Sequence, residues 1–141
     1  RIAGRFDRAL DIADRLARGR AMGGLRMVPD IGVEEVLDLA RAMTYKNAAA
    51  LLDLGGGKSA LVADPARFPA GTARRHDLIT WYAGVLRHVP NYTPGPDMFT
   101  DERDMQISFE VAGRTLRVTS VDGLRVSRVL LSAPIQPDAE A

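Results

Sequence analysis

The sequence contains no cysteine, which excludes disulfide bridges, cysteine-ligated zinc, iron–sulfur clusters and thiol nucleophiles. Histidine is also scarce, since only His76 and His88 occur, and their spacing is not that of a helical pair of metal ligands. A metal site or a Ser/His/Asp triad built on these two side chains is therefore disfavoured. A chain without cysteine is compatible with a reducing compartment, and we expect a cytoplasmic protein.

Long apolar runs and an excess of one sign of charge are missing as well. No apolar run reaches the roughly 18 residues that a membrane span needs, and no signal-peptide pattern is present. The formal net charge is +1, so neither nucleic acid nor an anionic membrane is expected as a partner. With 141 residues, 46% of them hydrophobic and 26% charged, the composition is typical of one globular domain over residues 1–141.

Lysine is nearly absent although basic residues are common. Of the 19 basic residues only Lys46 and Lys58 are lysines, and the rest are arginines. Arginine stays protonated in proteins, whereas a buried lysine beside another cation can lose its proton near neutral pH and take part in catalysis. The two lysines are therefore candidate chemical groups. The alternative is that coding bias and chance leave both on a solvated face.

Hydrophobic periodicity predicts three helices and one buried strand in the first two thirds of the sequence. The helices are expected at about residues 5–18, 33–52 and 72–88, and the strand at residues 59–63. Residues 22–29 are interpreted as a glycine-rich turn into a short extended segment. Lys46 would then lie in the C-terminal half of the second helix, and Lys58 at a glycine turn that leads into the strand.

The last third of the sequence changes to strand periodicity. A proline-rich loop over residues 90–98 is followed by a short helix that Thr100 can cap. Three strands are then predicted, at residues 107–111, 115–121 and 124–131, with a strong hairpin signal at Asp122-Gly123. These elements predict an α/β fold with a mixed β-sheet flanked by helices and a C-terminal antiparallel hairpin or meander.

The glycine-rich segment before Lys58 does not match a nucleotide-binding motif. Gly57-Lys58-Ser59 ends like a P-loop, but that motif needs a glycine where Leu52 stands, with a strand before it and a helix after it. The G-x-G-x-x-G fingerprint of dinucleotide-binding domains is also absent. No cofactor-binding residues are therefore predicted in this sequence.

Asp97 is a candidate functional carboxylate because its loop is stiffened by three prolines, which restrict the backbone before folding. Such a loop can hold a side chain in one place. The alternative is an ordinary turn aspartate.

A series of short motifs runs in order through the sequence. It comprises residues 23–29, 35–36, 39–48, 55–58, 64–65, 94–98 and 100–102, together with Met105. In order and spacing these motifs resemble the catalytic and dimerisation domain of the glutamate/leucine/phenylalanine/valine dehydrogenases, over about residues 21–105. The resemblance implies the substrate half of an amino-acid dehydrogenase, oxidative deamination of an L-amino acid to a 2-oxo acid, and NAD or NADP as the cofactor.

The same resemblance implies roles for individual residues. Lys46 would bind the α-carboxylate of the amino acid or 2-oxo acid, and Lys58 would be the catalytic lysine that polarises the carbonyl and activates water at the imine carbon. Asp97 would pass protons to and from the substrate amine. The backbone of Gly23 and Gly24 would line the substrate site. These roles agree with residue chemistry, because an amine near other cations has a lowered pKa and a carboxylate between two lysines stays ionised.

Departures from the family pattern bear on substrate and cofactor. Glutamate-specific members carry a lysine directly before the Gly-Gly pair, whereas this sequence has Met22, so an apolar substrate is favoured over glutamate. Family members also continue into a Rossmann domain that binds NAD(P). No such domain is visible in this sequence, so the cofactor would be held by a separate chain or by a part of the protein outside this sequence.

The predicted order of elements also departs from the family. The family places a hairpin before its Gly-Gly segment, whereas a helix is predicted there in this sequence, and residues 114–126 resemble the missing hairpin. A rearranged or circularly permuted domain is one interpretation. A new C-terminal meander is the other.

Two classes of function stay open at this point. The presence of both lysines and Asp97 favours an enzyme, whereas the missing cofactor domain favours a stand-alone relative without redox chemistry. Such a relative would bind amino acids or 2-oxo acids as a binding or oligomerisation module, or would use Lys58 for imine chemistry. A homo-oligomer is expected in either case, because exposed hairpin edges can pair with a second copy.

Overall fold

A computed structural model gives the fold and describes residues 9–14, 16–17, 19–113, 116–122 and 125–131. The strands are β1 (Ala9–Ala13), β2 (Ala21–Val28), β3 (Gly55–Val62), β4 (Tyr92–Pro96), β5 (Leu116–Asp122) and β6 (Arg125–Leu131). The helices are α1 (Val33–Ala49), α2 (Ala73–Leu86) and α3 (Glu102–Val111), with one 3-10 turn at Pro65–Arg67. None of the described helices is long and apolar enough to cross a membrane.

Four strands form one mixed sheet in the order β1-β3-β2-β4. Strand β2 is parallel to both β3 and β4, whereas β1 is antiparallel to β3. The path from β2 through α1 to β3 is a βαβ unit, the usual connection between neighbouring parallel strands. Strand β4 is an edge strand, where Pro94 and Pro96 can be accommodated. The mixed sheet with its helices confirms the predicted fold class.

Apolar side chains cover both faces of the sheet. One cluster joins the sheet to α2 and α3 and includes Leu25, Met27, Leu61, Tyr82 and Phe109. The other joins the opposite face to α1 and includes Val36, Ala60 and Val62. Because successive strand residues point to opposite faces, Lys58 lies on the face of Ala60 and Val62, which α1 covers.

Two predicted elements are wrong in type. The helix predicted over residues 5–18 is contradicted at Ala9–Ala13, which forms β1 and pairs with β3, while residues 5–8 lie outside the described part. The strand predicted over residues 107–111 is the second half of α3. A capping box between Asp101 and Asp104 starts this helix, and its buried residues follow helical spacing. Long-range strand pairing in the first case and local capping in the second override the apparent periodicity.

Other elements differ mainly in their bounds. Of residues 22–29, interpreted as a glycine-rich turn into a short extended segment, residues 22–28 belong to the strand β2, and the proline-rich loop contains the strand β4. Lys58 does not lie at a glycine turn, because Gly55–Val62 is a single strand. Asp101 rather than Thr100 caps α3. The predicted C-terminal hairpin is confirmed by the antiparallel pairing of β5 and β6, although its turn lies outside the described residues.

Candidate active site

Lys58 lies in the middle of β3, and its side chain is only 5% exposed. Helix α1 packs closely on this strand because Gly56 has no side chain: a Cβ there would lie 2.3 Å from the carbonyl oxygen of Ala40. On the opposite face of β3, the Tyr82 hydroxyl donates a hydrogen bond to Oγ of Ser59 over 2.9 Å. The strand is therefore packed between two helices, and its primary amine lies on the α1 face, largely shielded from water.

Asp97 directly follows β4 and lies in a tight turn. Its backbone N–H donates to Oγ1 of Thr100 over 2.9 Å, and the Thr100 N–H donates back to the Asp97 carbonyl over 3.1 Å. The Thr100 hydroxyl in turn donates to the carbonyl of Leu25 in β2 over 2.6 Å. These bonds fix the turn to the sheet, so the position of the carboxylate does not depend on its own side-chain contacts alone.

The structure brings Lys58 and Asp97 together. Nζ of Lys58 donates a short hydrogen bond to Oδ2 of Asp97. Nε of Arg26, from β2, donates to the same oxygen over 2.9 Å. The other end of the Arg26 guanidinium lies 3.5 Å from Oε1 of Glu35 on α1. One carboxylate therefore stands between a lysine and an arginine that come from two neighbouring strands.

Burial lowers the pKa of the Lys58 amine below its ordinary value, because the charged form loses its hydration. The hydrogen bond and charge of Asp97 oppose this shift, while the positive charges of Arg26 and Lys46 add to it. The pKa stays lowered despite the adjacent carboxylate. Lys58 is thus an amine whose proton is held less tightly than that of an ordinary lysine.

The pKa of Asp97 also lies below its ordinary value. Burial alone would raise this pKa, but the hydrogen bonds that Lys58 and Arg26 donate stabilise the carboxylate and outweigh the burial. Asp97 is therefore ionised at neutral pH. A carboxylate next to an easily deprotonated amine is an arrangement suited to proton transfer.

Gly24 forms the wall of the site next to both charged groups. A Cβ at this position would lie 2.6 Å from Cβ of Asp97 and 3.1 Å from Nζ of Lys58. The first distance is far below van der Waals contact, so an L side chain would displace the carboxylate. The amine and the carboxylate therefore face bare backbone.

The other predicted site residues lie around this pair. Lys46 is exposed in the last turn of α1, and its charge acts on Lys58. Met22 is 36% exposed in β2, and the neighbouring Gly23 accepts a hydrogen bond from the Tyr92 hydroxyl over 3.1 Å through its carbonyl. The six predicted residues thus lie on the adjoining strands β2 and β3, on the covering helix α1 and in the turn after β4. Their substrate-binding roles stay predictions.

Sequence reasoning assigned no role to three residues that shape the site. They are Arg26, Thr100 as the anchor of the turn, and Asn47, whose buried amide donates to the carbonyls of Gly55 over 2.8 Å and Met22 over 3.4 Å. Arg26 and Asn47 stand inside motifs that carry the family resemblance, next to predicted site residues. That adjacency was the available signal, but only the pairing of the strands shows what each side chain meets.

Within the part of the chain that the structure describes, no group of three or more His, Asp or Glu side chains is arranged to hold a metal ion. The glycine run before Lys58 also does not form a loop that could bind the phosphates of a dinucleotide. Gly55, Gly56 and Gly57 are buried in β3, and α1 occupies the space beside Gly56. This glycine run therefore does not fit the phosphates of a nicotinamide cofactor.

A family model described as Glu/Leu/Phe/Val dehydrogenase, dimerisation domain, matches residues 8–113. The chain belongs to this family. The family match begins next to β1 and ends after α3, and the β5–β6 hairpin follows it. A strand, not a helix, therefore precedes the Gly-Gly segment of this family member, which removes the observation that suggested a permuted domain.

Similar proteins are dehydrogenases of amino acids. Leucine dehydrogenase from Bacillus subtilis is 53% identical over 51 residues, which are 33% of this chain and 14% of that protein. Phenylalanine dehydrogenase from Thermoactinomyces intermedius is 37% identical over 90 residues, which are 61% of this chain and 24% of that protein. The solved structure of L-tryptophan dehydrogenase from Nostoc punctiforme matches 76% of this chain and 35% of its own, with a TM-score of 0.61 and 25% identity.

The chain thus spans between 14% and 24% of the length of these two curated relatives. The family match assigns the fold and the type of domain. The activity of the whole protein does not follow from this match alone and is inferred from the chemistry of the site.

Proposed function

We propose that this domain is the substrate-binding half of an amino-acid dehydrogenase that interconverts an L-amino acid with its 2-oxo acid and ammonia. The observation that carries the proposal is the hydrogen bond between the buried Lys58 amine and the partly exposed Asp97 carboxylate, which both face the bare backbone of Gly24. A binding module needs no amine with a lowered pKa beside an ionised carboxylate, whereas proton-transfer chemistry does. This argument disfavours a binding module, and the similarity to leucine and phenylalanine dehydrogenases favours a redox enzyme over imine chemistry alone at Lys58.

Three residues carry the steps that this domain contributes. Lys46 holds the α-carboxylate of the substrate as a point charge at the edge of the site. Lys58 hydrogen-bonds the oxygen that replaces the substrate nitrogen, and as a free amine it accepts a proton from the water that attacks the imine carbon. Asp97 takes protons from the substrate ammonium and returns them when ammonia leaves. In this way the carbon–nitrogen bond is exchanged for a carbon–oxygen bond.

The overall deamination transfers two electrons to NAD(P), and the described residues do not hold that cofactor. We assign no step of the electron transfer to them. A second domain of the protein or a separate NAD(P)-binding chain would supply the cofactor. Residues 1–141 would then be a single substrate and dimerisation domain.

An apolar amino acid is the proposed substrate. Met22 stands beside Gly23 at the position where glutamate-specific relatives carry a lysine, and its thioether cannot pair with a side-chain carboxylate. The names of the leucine and phenylalanine dehydrogenases that resemble this chain support the same class of substrate. The family model is described as a dimerisation domain, which supports a homo-oligomer. The proposed location is the cytoplasm.

The test is a rate measurement on the full-length protein purified from its source, with its native mass recorded first. Reduction of NAD⁺ or NADP⁺ would be followed by absorbance with leucine, valine, phenylalanine or glutamate as substrate. We expect turnover of an apolar amino acid and little of glutamate. A homo-oligomer of full-length chains that turns over none of the four with either cofactor would contradict the proposal, and a second chain in the native complex would identify where the cofactor is held.

A further inference from the structure

The two oxygens of the Asp97 carboxylate have different surroundings. Oδ2 accepts hydrogen bonds from both Lys58 and Arg26, the latter over 2.9 Å. Among the residues that the structure describes, no group donates to Oδ1. An oxygen that already accepts two charged donors is a weak proton acceptor, because each donor stabilises its negative charge.

We infer that Arg26 is a positioning residue: it holds Oδ2 of Asp97, so that Oδ1 is the oxygen that exchanges protons with the substrate nitrogen. This inference rests on the proposed function and adds a residue to it. It also gives the carboxylate a defined orientation, since a carboxylate held by Lys58 alone can rotate about its terminal torsion.

The position of Arg26 suits this task. It lies two residues after Gly24 in β2, so its side chain leaves the same face of the sheet as the wall of the site. The side chain is 17% exposed, and Glu35 holds its far end 3.5 Å away. A guanidinium offers several donors in a rigid plane, so one end can bind Glu35 while Nε binds Asp97.

The charged groups around the pair of Lys58 and Asp97 determine what removal of Arg26 should do. They are Arg26 from β2, Lys58 from β3, and Lys46 and Glu35 from α1. Without Arg26, Lys58 is the one donor to the Asp97 carboxylate among the described residues, and the pKa of Asp97 rises because the carboxylate loses a stabilising cation. The pKa of Lys58 also rises, because a neighbouring positive charge is gone.

The experiment compares Arg26→Gln and Arg26→Lys with a control, Arg41→Gln, in the full-length protein. Arg41 is an arginine paired with Asp38 over 3.3 Å on α1, outside the site. The pKa of Asp97 would be measured by carboxyl ¹³C NMR titration, with the resonance identified by its loss in Asp97→Asn. Leucine deamination rates would give kcat and KM separately.

We expect Arg26→Gln to raise the measured pKa of Asp97 by about one unit or more and to lower kcat about tenfold or more, with KM changed less than about twofold. Arg26→Lys should restore most of the Asp97 pKa, and Arg41→Gln should change neither quantity. An unchanged Asp97 pKa in Arg26→Gln, or a loss confined to KM, would overturn the inference. Absence of turnover of all four amino acids by the unmutated protein would instead contradict the proposed function, and the NMR titration would still test the hold of Arg26 on Asp97.

Discussion

Two aspartates in this domain are each paired with a basic side chain from another element, and the two pairs are built differently. Arg75 of α2 and Asp104 of α3 form a fork, in which Nε donates to Oδ1 over 2.9 Å and a terminal nitrogen donates to Oδ2 over 2.5 Å. Both side chains are about 5% exposed. In the site, Asp97 is 25% exposed and has one oxygen without a donor among the described residues.

The rest of the Arg75 environment completes its hydrogen bonding. Its terminal nitrogens also donate to the carbonyls of Phe68 over 3.2 Å and Phe99 over 2.5 Å. Asp104 accepts a further bond from the N–H of Asp101 over 3.0 Å. A buried charge pair held by this many hydrogen bonds within the protein is a structural device, because both charges are stabilised without a ligand.

A structural ion pair and a reactive ion pair thus occur in the same fold and differ in their hydrogen bonding and burial. A saturated, forked and fully buried pair links elements, whereas a pair with a free oxygen, a glycine wall and a lysine in place of arginine can exchange protons. Mutations of the Lys58–Asp97 pair should therefore lower activity more than stability, and mutations of the Arg75–Asp104 pair should lower stability. The opposite pattern would contradict this distinction.

The largest expected effect is on activity. Lys58→Met should lower kcat/KM for leucine deamination by about 10²- to 10⁴-fold, the usual contribution of a general acid–base group, while the protein stays folded. Thermal unfolding by circular dichroism would be measured on the same sample. Lys58→Arg is the matched control for charge, and it should be nearly as inactive because arginine does not give up its proton. A Lys58→Met protein with more than a tenth of the original kcat/KM would contradict the role of Lys58.

The next effect is on stability. Arg75→Met should lower the free energy of unfolding by about 3–5 kcal/mol, because it leaves the Asp104 carboxylate buried without its partner. Urea unfolding gives the value. In the double variant Arg75→Met/Asp104→Leu both charges are removed, and most of the lost stability should return. If the double variant is as unstable as the single one, the pair acts through something other than its charges.

A smaller effect is expected at the glycine wall. Gly24→Ala should lower kcat/KM about 10- to 100-fold and cost about 1–3 kcal/mol of stability, because its Cβ would lie 2.6 Å from Cβ of Asp97 and displace the carboxylate. Gly84→Ala in α2 is the control, since a Cβ there meets nothing within 4 Å. The control should keep full activity and be as stable or slightly more stable. Equal activity of the two variants would mean that Gly24 does not define the site.

Local patterns predicted those parts of the fold that are decided locally. Helices α1 and α2 begin within one residue of their predicted starts, because their apolar stripes and N-terminal residues act within a few turns. Strand β1 could not be predicted in this way, since its five residues become a strand only by pairing with β3, more than forty residues away. The capping box of α3 was a local signal that the strand-like Ile107 obscured.

In the candidate site, too, some features follow from the local sequence and others depend on long-range strand pairing. The scarcity of lysine and the family motifs singled out Lys58 and Asp97 before any contact was known. Arg26 could not be given a role, because its bond to Asp97 depends on the register of β2 with both β3 and β4. The sequence therefore predicts which side chains are capable of the chemistry, whereas the register of the strands decides which of them bind the same carboxylate oxygen.

The smallest effect is the pH dependence of stability, and it separates the two members of the reactive pair. The pKa of Asp97 is lowered on folding from 3.8, so its contribution to stability is present above about pH 4 and is lost as the pH falls through the lowered pKa. The pKa of Lys58 is lowered from 10.5, so between the lowered pKa and 10.5 the unfolded chain binds more protons, and stability rises with pH.

Urea unfolding at a series of pH values, on the unmutated protein and on Lys58→Met and Asp97→Asn, would test both signs. The free energy of unfolding of the unmutated protein should grow relative to that of Lys58→Met from neutral pH towards pH 10.5. Over this range the unfolded chain binds a proton at Lys58 that the folded protein has lost, whereas Lys58→Met has no amine at this position to titrate. The disadvantage of Asp97→Asn should shrink below about pH 4, because the unfolded chain of the unmutated protein then binds a proton at Asp97 while the folded protein still holds the carboxylate ionised. An advantage over Lys58→Met that falls with rising pH would mean that the attraction of Asp97 outweighs burial and that Lys58 keeps its proton in the folded protein. Lys58 would then resemble Arg75 in holding a fixed charge, and the contrast between the two pairs would rest on the free oxygen of Asp97 alone.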